Sequence, residues 1–472
     1  MMFENSLSSP LNNGRRTLPG EVAREQKRAL MAIVIGGTVI VASISLGSSY
    51  AFFIGFLAFS FFMTSVWKDS DLPWIFLVSV TAATPIAISR EQFACNVVFA
   101  IWFALRRPHY LFQLPKWIYI LFILMLTGIF SSSINWLFSR PTIIGSMMHE
   151  GANILNFIIA PFLLLPMVYV RMRESRDPAA MLRGLLFCLI IPSTVILISA
   201  RLLGSVANAW EASQHVQSIG FFDYKLGKVI VTFLRTEIGF ILAALVCAST
   251  AVAISPVRLL YRVIAGACIL SNVFLFLTTA SFGSIFSCIL GIIIIYYTGF
   301  GATSYTKMAI SVLCTFCIVV MVYSLLPDNL KSYVQQRYQT RITDRDTDRL
   351  ALWTRAAEQI IRHPEGIGFS LQSGDLNTFT HNDYLAYTVS YGIAGGLAYL
   401  FLLCGLLISF MRMRRYISYD PSQLAVYLAG LGVIAALAAN SMTDNMISSR
   451  WYFNINMSIV WYSYFCSRPS QN

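Results

Sequence analysis

Charged side chains are scarce in this 472-residue chain: Asp, Glu, Lys and Arg make up only 12% of it, whereas 57% of the residues are hydrophobic. A typical soluble domain carries about 25% charged residues, most of them on its surface. The composition therefore excludes an ordinary soluble protein and indicates that lipid is the main solvent of the fold.

Long polar stretches are also few, because apolar runs that can cross a bilayer follow one another along most of the chain. A transmembrane helix needs about 20 predominantly apolar residues. The sequence predicts an all-α polytopic membrane protein with about 12–14 transmembrane helices. The count is a range because the runs 92–105 and 452–466 are short for a full span. The predicted spans are 29–47, 50–66, 72–89, 92–105, 117–135, 152–170, 182–199, 236–254, 259–277, 281–298, 308–326, 386–410, 422–440 and 452–466.

The basic N-terminal 28 residues lack a small-residue cleavage site after the first apolar run, so the first helix is predicted to stay in the mature protein. A cytoplasmic N-terminus places most Lys and Arg of the short loops inside, as the positive-inside rule expects. The net charge of +12 then reflects topology and attraction to anionic headgroups, and nucleic-acid binding is not expected. The predicted units are a cytoplasmic tail 1–28, a bundle 29–326 with an outer loop 201–235, a large outer loop 327–385, C-terminal helices 386–466 and a cytoplasmic tail 467–472.

A metal site is not expected from the nine cysteines, which all fall within or at the edge of predicted spans. Cys314-Thr-Phe-Cys317 has CxxC spacing but lies in an apolar helix without a nearby histidine or second cysteine pair. The cysteines are therefore interpreted as small core residues.

The outer loop 327–385 is the place where chemistry is expected, since long irregular backbone belongs in water or at a functional surface. It holds seven basic and eight acidic residues, so an anion site there would depend on individual arginines. Residues 347–362 are predicted to form a helix that ends at Pro364, Gly366 and Gly368. Its predicted apolar face consists of Leu350, Trp353, Ala357 and Ile360 or Ile361.

His381-Asn382-Asp383 stands directly before an apolar span. A histidine in this position can be oriented by a carboxylate and can accept a proton near neutral pH. An interfacial histidine that only forms hydrogen bonds is the alternative, and the residues alone leave it open. Arg235 and Glu237 at the entrance of another predicted span are likewise either functional groups or interfacial anchors.

Four motifs in this order resemble the signature of the bacterial O-antigen ligase and O-antigen or exopolysaccharide polymerase superfamily. The resemblance is close over 349–396 and looser over 235–410. The motifs are Arg349-xxx-Trp353, His363-Pro364-x-Gly366-x-Gly368, His381-Asn382-xx-Leu385 and Tyr391-Gly392-xx-Gly395-Gly396.

The resemblance implies an enzyme of the bacterial inner membrane. It would transfer glycans at the periplasmic face from an undecaprenyl-diphosphate carrier to an acceptor hydroxyl, without a metal or other cofactor. It assigns the role of catalytic base to His381 and diphosphate binding to Arg349 and, less directly, Arg235. Such contacts fit a diphosphate leaving group, because guanidinium groups stabilise its growing charge.

The chain departs from the family at Ser281-Phe282-Gly283, where members often carry Ser-Arg-Gly. Arg235, Arg341 and Arg345 are therefore candidates for a further diphosphate ligand. Asn382, Asp383 and Glu237 are expected to support the site, and Trp353 is assigned mainly to packing of the loop helix.

Three functions compete. Polymerisation of lipid-linked repeat units into exopolysaccharide or O-antigen is expected first, and ligation of the glycan to lipid A core or a protein hydroxyl is the alternative with the same chemistry. A transporter or flippase is less expected, because the spans contain almost no ionisable groups and no internal repeat. The expected partners are the undecaprenyl-diphosphate-linked glycan and membrane lipids, and the family context suggests a chain-length regulator and a flippase.

Overall fold

The computed structural model of the protein describes residues 99–139, 154–174, 177–202, 222–226, 229–233, 235–279, 281–300, 305–325, 347–368, 380–417, 420–443 and 450–468, with single positions in 73–80 and 328–339. Within these ranges the chain is almost entirely helical. The helices are α1 Lys116–Ser139, α2 Leu165–Tyr169, α3 Pro178–Leu202, α4 Arg235–Ile254, α5 Leu259–Thr279, α6 Phe282–Phe300, α7 Tyr305–Ser324, α8 Thr347–Arg362, α9 Asp383–Met413, α10 Pro421–Thr443 and α11 Arg450–Ser467.

Every predicted span from 117 onwards coincides with helical structure. The run 152–170 corresponds to a π-helical segment, Leu155–Leu164, which continues into α2. Residues 99–106 are helical and match the second half of the run 92–105, whereas the runs 29–47 and 50–66 lie outside the described residues. The predicted helix boundaries hold because a helix in lipid must keep its apolar side chains within the hydrocarbon.

Four helices in the described part are long and apolar enough to cross a membrane: Lys116–Ser133, Gly283–Phe300, Asp383–Met413 and Pro421–Thr443. Three shorter apolar helices accompany them: Pro178–Thr194, Gly239–Ile254 and Leu259–Phe274. The chain is therefore an all-α multi-pass membrane protein, as its sequence predicts.

The core of the bundle is built around α10, in which all residues from Ala425 to Leu437 are buried. It packs against α3, α4, α6, α9 and α11. Large apolar side chains on the outer helices, such as Phe130, Leu259 and Phe286, are exposed instead. That distribution suits a protein surrounded by lipid, which solvates apolar side chains.

Helix α1 runs antiparallel to the part of α9 that follows Gly392. Ser131 Oγ near the end of α1 donates to Glu365 O at 3.0 Å, on the loop that contacts the first third of α9. Trp117 at the start of α1 packs beside Gly405, close to the other end of α9. The residues just before α1, among them His109, therefore lie at the end of the bundle opposite to Asp383.

A break interrupts α9 at Tyr391 (φ −120°, ψ 20°) and Gly392 (φ 69°, ψ −176°). The loop after α8 docks onto this break through its backbone. Ile367 N donates to Val389 O at 3.0 Å, Gly368 N donates to Ser390 O at 2.8 Å, and Ile393 N donates to Pro364 O at 2.9 Å. The loop thus satisfies polar groups that a broken helix would otherwise leave unbonded, and a buried backbone group without a partner is costly.

Two glycines make this docking possible. Gly366 and Gly392 both have positive φ values, 91° and 69°, which only glycine adopts without strain. A Cβ atom on Gly392 would lie 2.6 Å from the carbonyl oxygens of Pro364 and Glu365, and one on Gly366 would lie 2.8 Å from Ser390 O. Neither position has room for a side chain.

Helix α8 has the predicted ends, 347 and 362, but the predicted apolar face was partly wrong. Leu350 is 67% exposed and Ala357 is exposed. Leu352 and Ala356 are buried instead, and Ala356 packs with Ile367 and Val389. The small Ala356 side chain lets α8 approach α9 closely. Because Leu350 and Leu352 lie on different faces of the helix, apolar periodicity alone cannot predict which of the two faces is buried.

A β-hairpin in the outer loop 201–235 was not predicted. Strand β1, Phe222–Leu226, pairs antiparallel with β2, Val229–Phe233, with Tyr224 opposite Val231. Its sequence signal is two short runs rich in aromatic and β-branched residues, separated by Gly227-Lys228. The hairpin leads directly to the start of α4 at Arg235.

We expect Gly392→Ala to lower the free energy of unfolding by about 2 kcal/mol or more, because it adds backbone strain and a clash with the docked loop. Gly266→Ala on α5 is the matched control, since its Cβ would meet nothing within 4 Å and alanine favours a helix. Thermal unfolding of the purified variants in detergent measures the difference. Equal melting temperatures for the two variants would contradict the docking role of Gly392.

Candidate functional site

Three segments meet at one end of the bundle: the start of α9, the end of α10 and the first half of α8. Arg349 Nη1 donates to Thr443 O at 3.0 Å. Trp353 Nε1, one turn later on α8, donates to Thr380 O at 2.8 Å. One face of α8 therefore binds both the segment before α9 and the end of α10.

The segment 380–382 is fixed by hydrogen bonds of its own. Thr380 is fully buried, and its Oγ1 donates to Asn382 O at 2.9 Å. Asn382 caps α9, with its Oδ1 accepting from Leu385 N at 3.1 Å, and its Nδ2 donates to Met442 O at 3.5 Å. These contacts form a tight bend whose middle residue is His381.

His381 has φ 50° and is the one non-glycine residue with a positive φ in the described part of the chain. Its side chain is half-buried at the end of the bundle. A left-handed backbone at a non-glycine residue is strained and persists only where the surroundings hold it. Such strain is common at functional positions, so the backbone geometry singles out His381.

Beneath His381 lies a buried polar network. Asp383, the first residue of α9, is completely buried, and its Oδ2 accepts a hydrogen bond from Tyr399 OH at 3.4 Å. Tyr399 OH also lies 2.8 Å from Ser441 Oγ on α10, and Tyr384 OH donates to Ala438 O at 3.1 Å. A buried carboxylate is costly without such partners, and these hydroxyl groups tie the start of α9 to α10.

The start of α6 completes the site. Ser281 Oγ and Ser284 Oγ are 3.1 Å apart and buried, and Gly283 packs closely against Thr443. The resemblance leads one to expect an arginine in the segment Ser281-Phe282-Gly283. This segment lies beside Thr443, whose carbonyl oxygen accepts the hydrogen bond from Arg349. Arg349 and the start of α6 meet at the end of α10.

The other predicted site residues are less fully defined. Arg235 and Glu237 lie in the first turn of α4, and Gly239 of that helix packs against Ser284, so both residues lie at the same end of the bundle. Their side chains are not among those described. Arg341 and Arg345 lie outside the described residues.

The structure therefore brings together Arg349, Trp353, His381, Asn382 and Asp383. Several residues of the site were missed by sequence reasoning: Thr380, Tyr399, Ser441 and Thr443. Hydroxyl side chains within or beside apolar runs give no periodic signal. Only the position of Thr380 next to His381 could have drawn attention to it.

No group of three or more His, Cys, Asp or Glu side chains in the described ranges is arranged to hold a metal ion. In those ranges the polar groups of the site are a guanidinium, an imidazole, an amide, a carboxylate and hydroxyl groups. Such a set can transfer a proton and stabilise an anion.

Comparison with known families agrees with this geometry. A family model described as O-antigen ligase matches residues 243–400, about a third of the chain, from the first part of α4 through most of α9. The match supports a relationship of this part of the chain to the O-antigen ligase and polymerase superfamily. The matched segment contains Arg349, Trp353 and His381, and it supports a membrane glycosyltransferase type of function. A search of curated proteins finds no match.

We expect Asn382→Ala to lower the free energy of unfolding by about 1 kcal/mol, because α9 loses its capping acceptor. Asn382→Ser is the comparison: it keeps a capping oxygen but, like alanine, cannot donate to Met442 O. Unfolding of the two variants in detergent isolates the cap. A serine variant as unstable as the alanine variant would show that the cap contributes little.

Proposed function

We propose that this protein polymerises undecaprenyl-diphosphate-linked oligosaccharide repeat units into exopolysaccharide or O-antigen. The observation that supports this most directly is that His381 and Arg349 lie at the same end of the bundle. Asn382 bonds Met442 O and Arg349 bonds Thr443 O, so a potential base and a potential phosphate ligand are anchored on adjacent residues of α10.

The proposed reaction is a single glycosyl transfer. The His381 imidazole takes the proton of the acceptor hydroxyl as that oxygen bonds to the anomeric carbon of the donor glycan. The bond from that carbon to the diphosphate oxygen breaks, and its electron pair leaves with the lipid diphosphate. His381 then gives up its proton to water or to the departing diphosphate. General base catalysis of this kind typically contributes about 10²–10⁴-fold in rate.

Arg349 is proposed to bind the diphosphate. A planar guanidinium can contact phosphate oxygens bidentately and stays charged at every physiological pH. Its anchor on Thr443 O, at the negative end of the α10 dipole, fixes the arginine before substrate arrives. Arg235, Arg341 and Arg345 remain proposed further ligands, with Glu237 as a supporting residue.

The membrane location suits the substrate. The polyprenyl tail of the donor stays in the bilayer while its glycan stays in water, so its diphosphate must lie near the surface. We therefore propose that this end of the bundle, with the loop 327–385, faces the periplasm of the bacterial inner membrane. The N-terminus and the end carrying His109 would then be cytoplasmic, and a chain-length regulator and a flippase are proposed partners.

Ligation is the second candidate, because the matched family is described as O-antigen ligase and fits both reactions. The two reactions share donor, base and leaving group. They differ in the acceptor, which is another lipid-linked glycan in polymerisation and lipid A core or a protein hydroxyl in ligation.

A deletion strain of the source bacterium tests the proposal when it is complemented with the wild type, His381→Ala or His109→Ala. The wild type and His109→Ala, whose altered residue is exposed at the opposite end, should restore long polymer. His381→Ala should insert normally yet leave single lipid-linked repeat units, because no base removes the acceptor proton. Gel and mass analysis of lipid-linked and secreted glycans measures the outcome.

The accumulated product separates the candidates. Single lipid-linked repeat units support polymerisation, whereas long polymer retained on undecaprenyl diphosphate supports ligation. Polymer of normal length and yield on its final acceptor with His381→Ala would exclude the base role.

We expect Arg349→Lys to reduce transfer by about 100-fold, because an ammonium cannot reproduce the planar contacts to a diphosphate. Arg355→Lys is the matched control: it lies on the same helix and is exposed, so its activity should match the wild type. Transfer per amount of purified enzyme, with an undecaprenyl-diphosphate-linked donor, measures both. Near-normal activity of Arg349→Lys would remove Arg349 as a diphosphate ligand.

A further inference from the structure

We propose that Trp353 is a positioning residue for His381: its indole N–H holds the peptide from which His381 projects. The proposal rests on the proposed function for the catalytic consequence, but its structural part can be measured without any glycan. It changes the interpretation of Trp353 from packing of the loop helix to control of the candidate base.

The bond from Trp353 Nε1 reaches Thr380 O at 2.8 Å. That carbonyl belongs to the peptide that links Thr380 to His381, so its orientation fixes the amide nitrogen of His381. Thr380 is fully buried, which shields this hydrogen bond from water and strengthens it.

A second bond holds the other side of the bend. Thr380 Oγ1 donates to Asn382 O at 2.9 Å, so the residues on both sides of His381 are joined across it. Between these two anchors His381 keeps φ 50°, a conformation that a non-glycine residue leaves when nothing restrains it. Loss of the indole bond should let the peptide rotate and the imidazole turn away from its present direction.

Helix α8 links this restraint to the other half of the site. Arg349 and Trp353 are four residues apart, so they lie on one face of the helix. The first bonds Thr443 O and the second bonds Thr380 O. The placement of α8 therefore sets the arginine and the histidine together, and Trp353 is the contact through which it reaches the histidine.

Trp353→Phe separates positioning from packing, because phenylalanine keeps an aromatic ring and lacks the N–H donor. Leu352→Ala is the matched control: Leu352 is a buried residue of the same helix, and its truncation weakens packing without removing the indole bond. Thr380→Val is a second variant, nearly isosteric, which removes the bond to Asn382 O.

The experiment uses the purified full-length protein in detergent and three readouts. The first is the rate at which diethyl pyrocarbonate modifies His381, measured by peptide mass relative to exposed His109 in the same molecule. The second is kcat and KM for transfer from an undecaprenyl-diphosphate-linked donor. The third is the melting temperature.

We expect Trp353→Phe and Thr380→Val to change the modification ratio several fold. Their kcat should fall by about 10- to 100-fold, the scale expected for a displaced catalytic group, while KM stays close to the wild type. Leu352→Ala should lower the melting temperature and leave the modification ratio unchanged. If Trp353→Phe does not accumulate, Trp353→Leu, which also lacks the N–H donor, takes its place.

An unchanged modification ratio in Trp353→Phe would overturn the proposal, whatever the stability of the variant; an unchanged ratio in Thr380→Val alone would show that the bond to Asn382 O does not hold the bend. A ratio that changes equally in Leu352→Ala would also overturn it, because the effect would then reflect general loosening of α8. If the wild type transfers no glycan at all, the proposed function fails while the ratio still tests the positioning role. If His381→Ala is inactive but Trp353→Phe keeps wild-type kcat, only the positioning role fails.

Discussion

The break in α9 is the constraint on which the rest of this end of the protein depends. A broken helix must find partners for its freed polar groups. The loop after α8 provides them: Ile367 N and Gly368 N donate to Val389 O and Ser390 O, and Pro364 O accepts from Ile393 N. The loop can approach so closely only because Gly366 and Gly392 lack side chains. The pairing of these backbone groups thus fixes the C-terminal end of α8, a helix that itself lies outside the apolar spans.

Backbone hydrogen bonds of the following loop hold the C-terminal end of α8, so a few side-chain contacts are enough to fix the position of its N-terminal end. Arg349 and Trp353 make these contacts, to Thr443 O and Thr380 O. The same two contacts determine where the candidate base stands relative to the candidate phosphate ligand. Fold and chemistry therefore share one set of interactions, and His381 can hold a strained backbone because rigid elements surround it.

The sequence predicts the helices well and their lateral contacts poorly, for physical reasons. Lipid imposes a length and an apolar composition on each span, and proline and glycine mark the end of α8, so helix bounds can be read from local residues. Whether Leu350 or Leu352 is buried depends on the close approach of α8 to α9 at Ala356. This is a tertiary contact, which local sequence does not reveal. The hydrogen bonds of Thr380 and Tyr399 depend on the helices that surround them, so the hydropathy pattern of the sequence does not predict them.

The structure also separates two kinds of residue within the family signature. Gly366 and Gly392 serve the docking of a loop on a broken helix, a role that backbone geometry alone explains. Arg349 and His381 carry functional groups that the docking does not require. A chain with the glycines but without this guanidinium and imidazole would meet the same demands of the membrane and lose the proposed chemistry. The docking of the loop therefore follows from the scaffold, whereas the argument for glycosyl transfer depends on these two side chains and on the helix that places them.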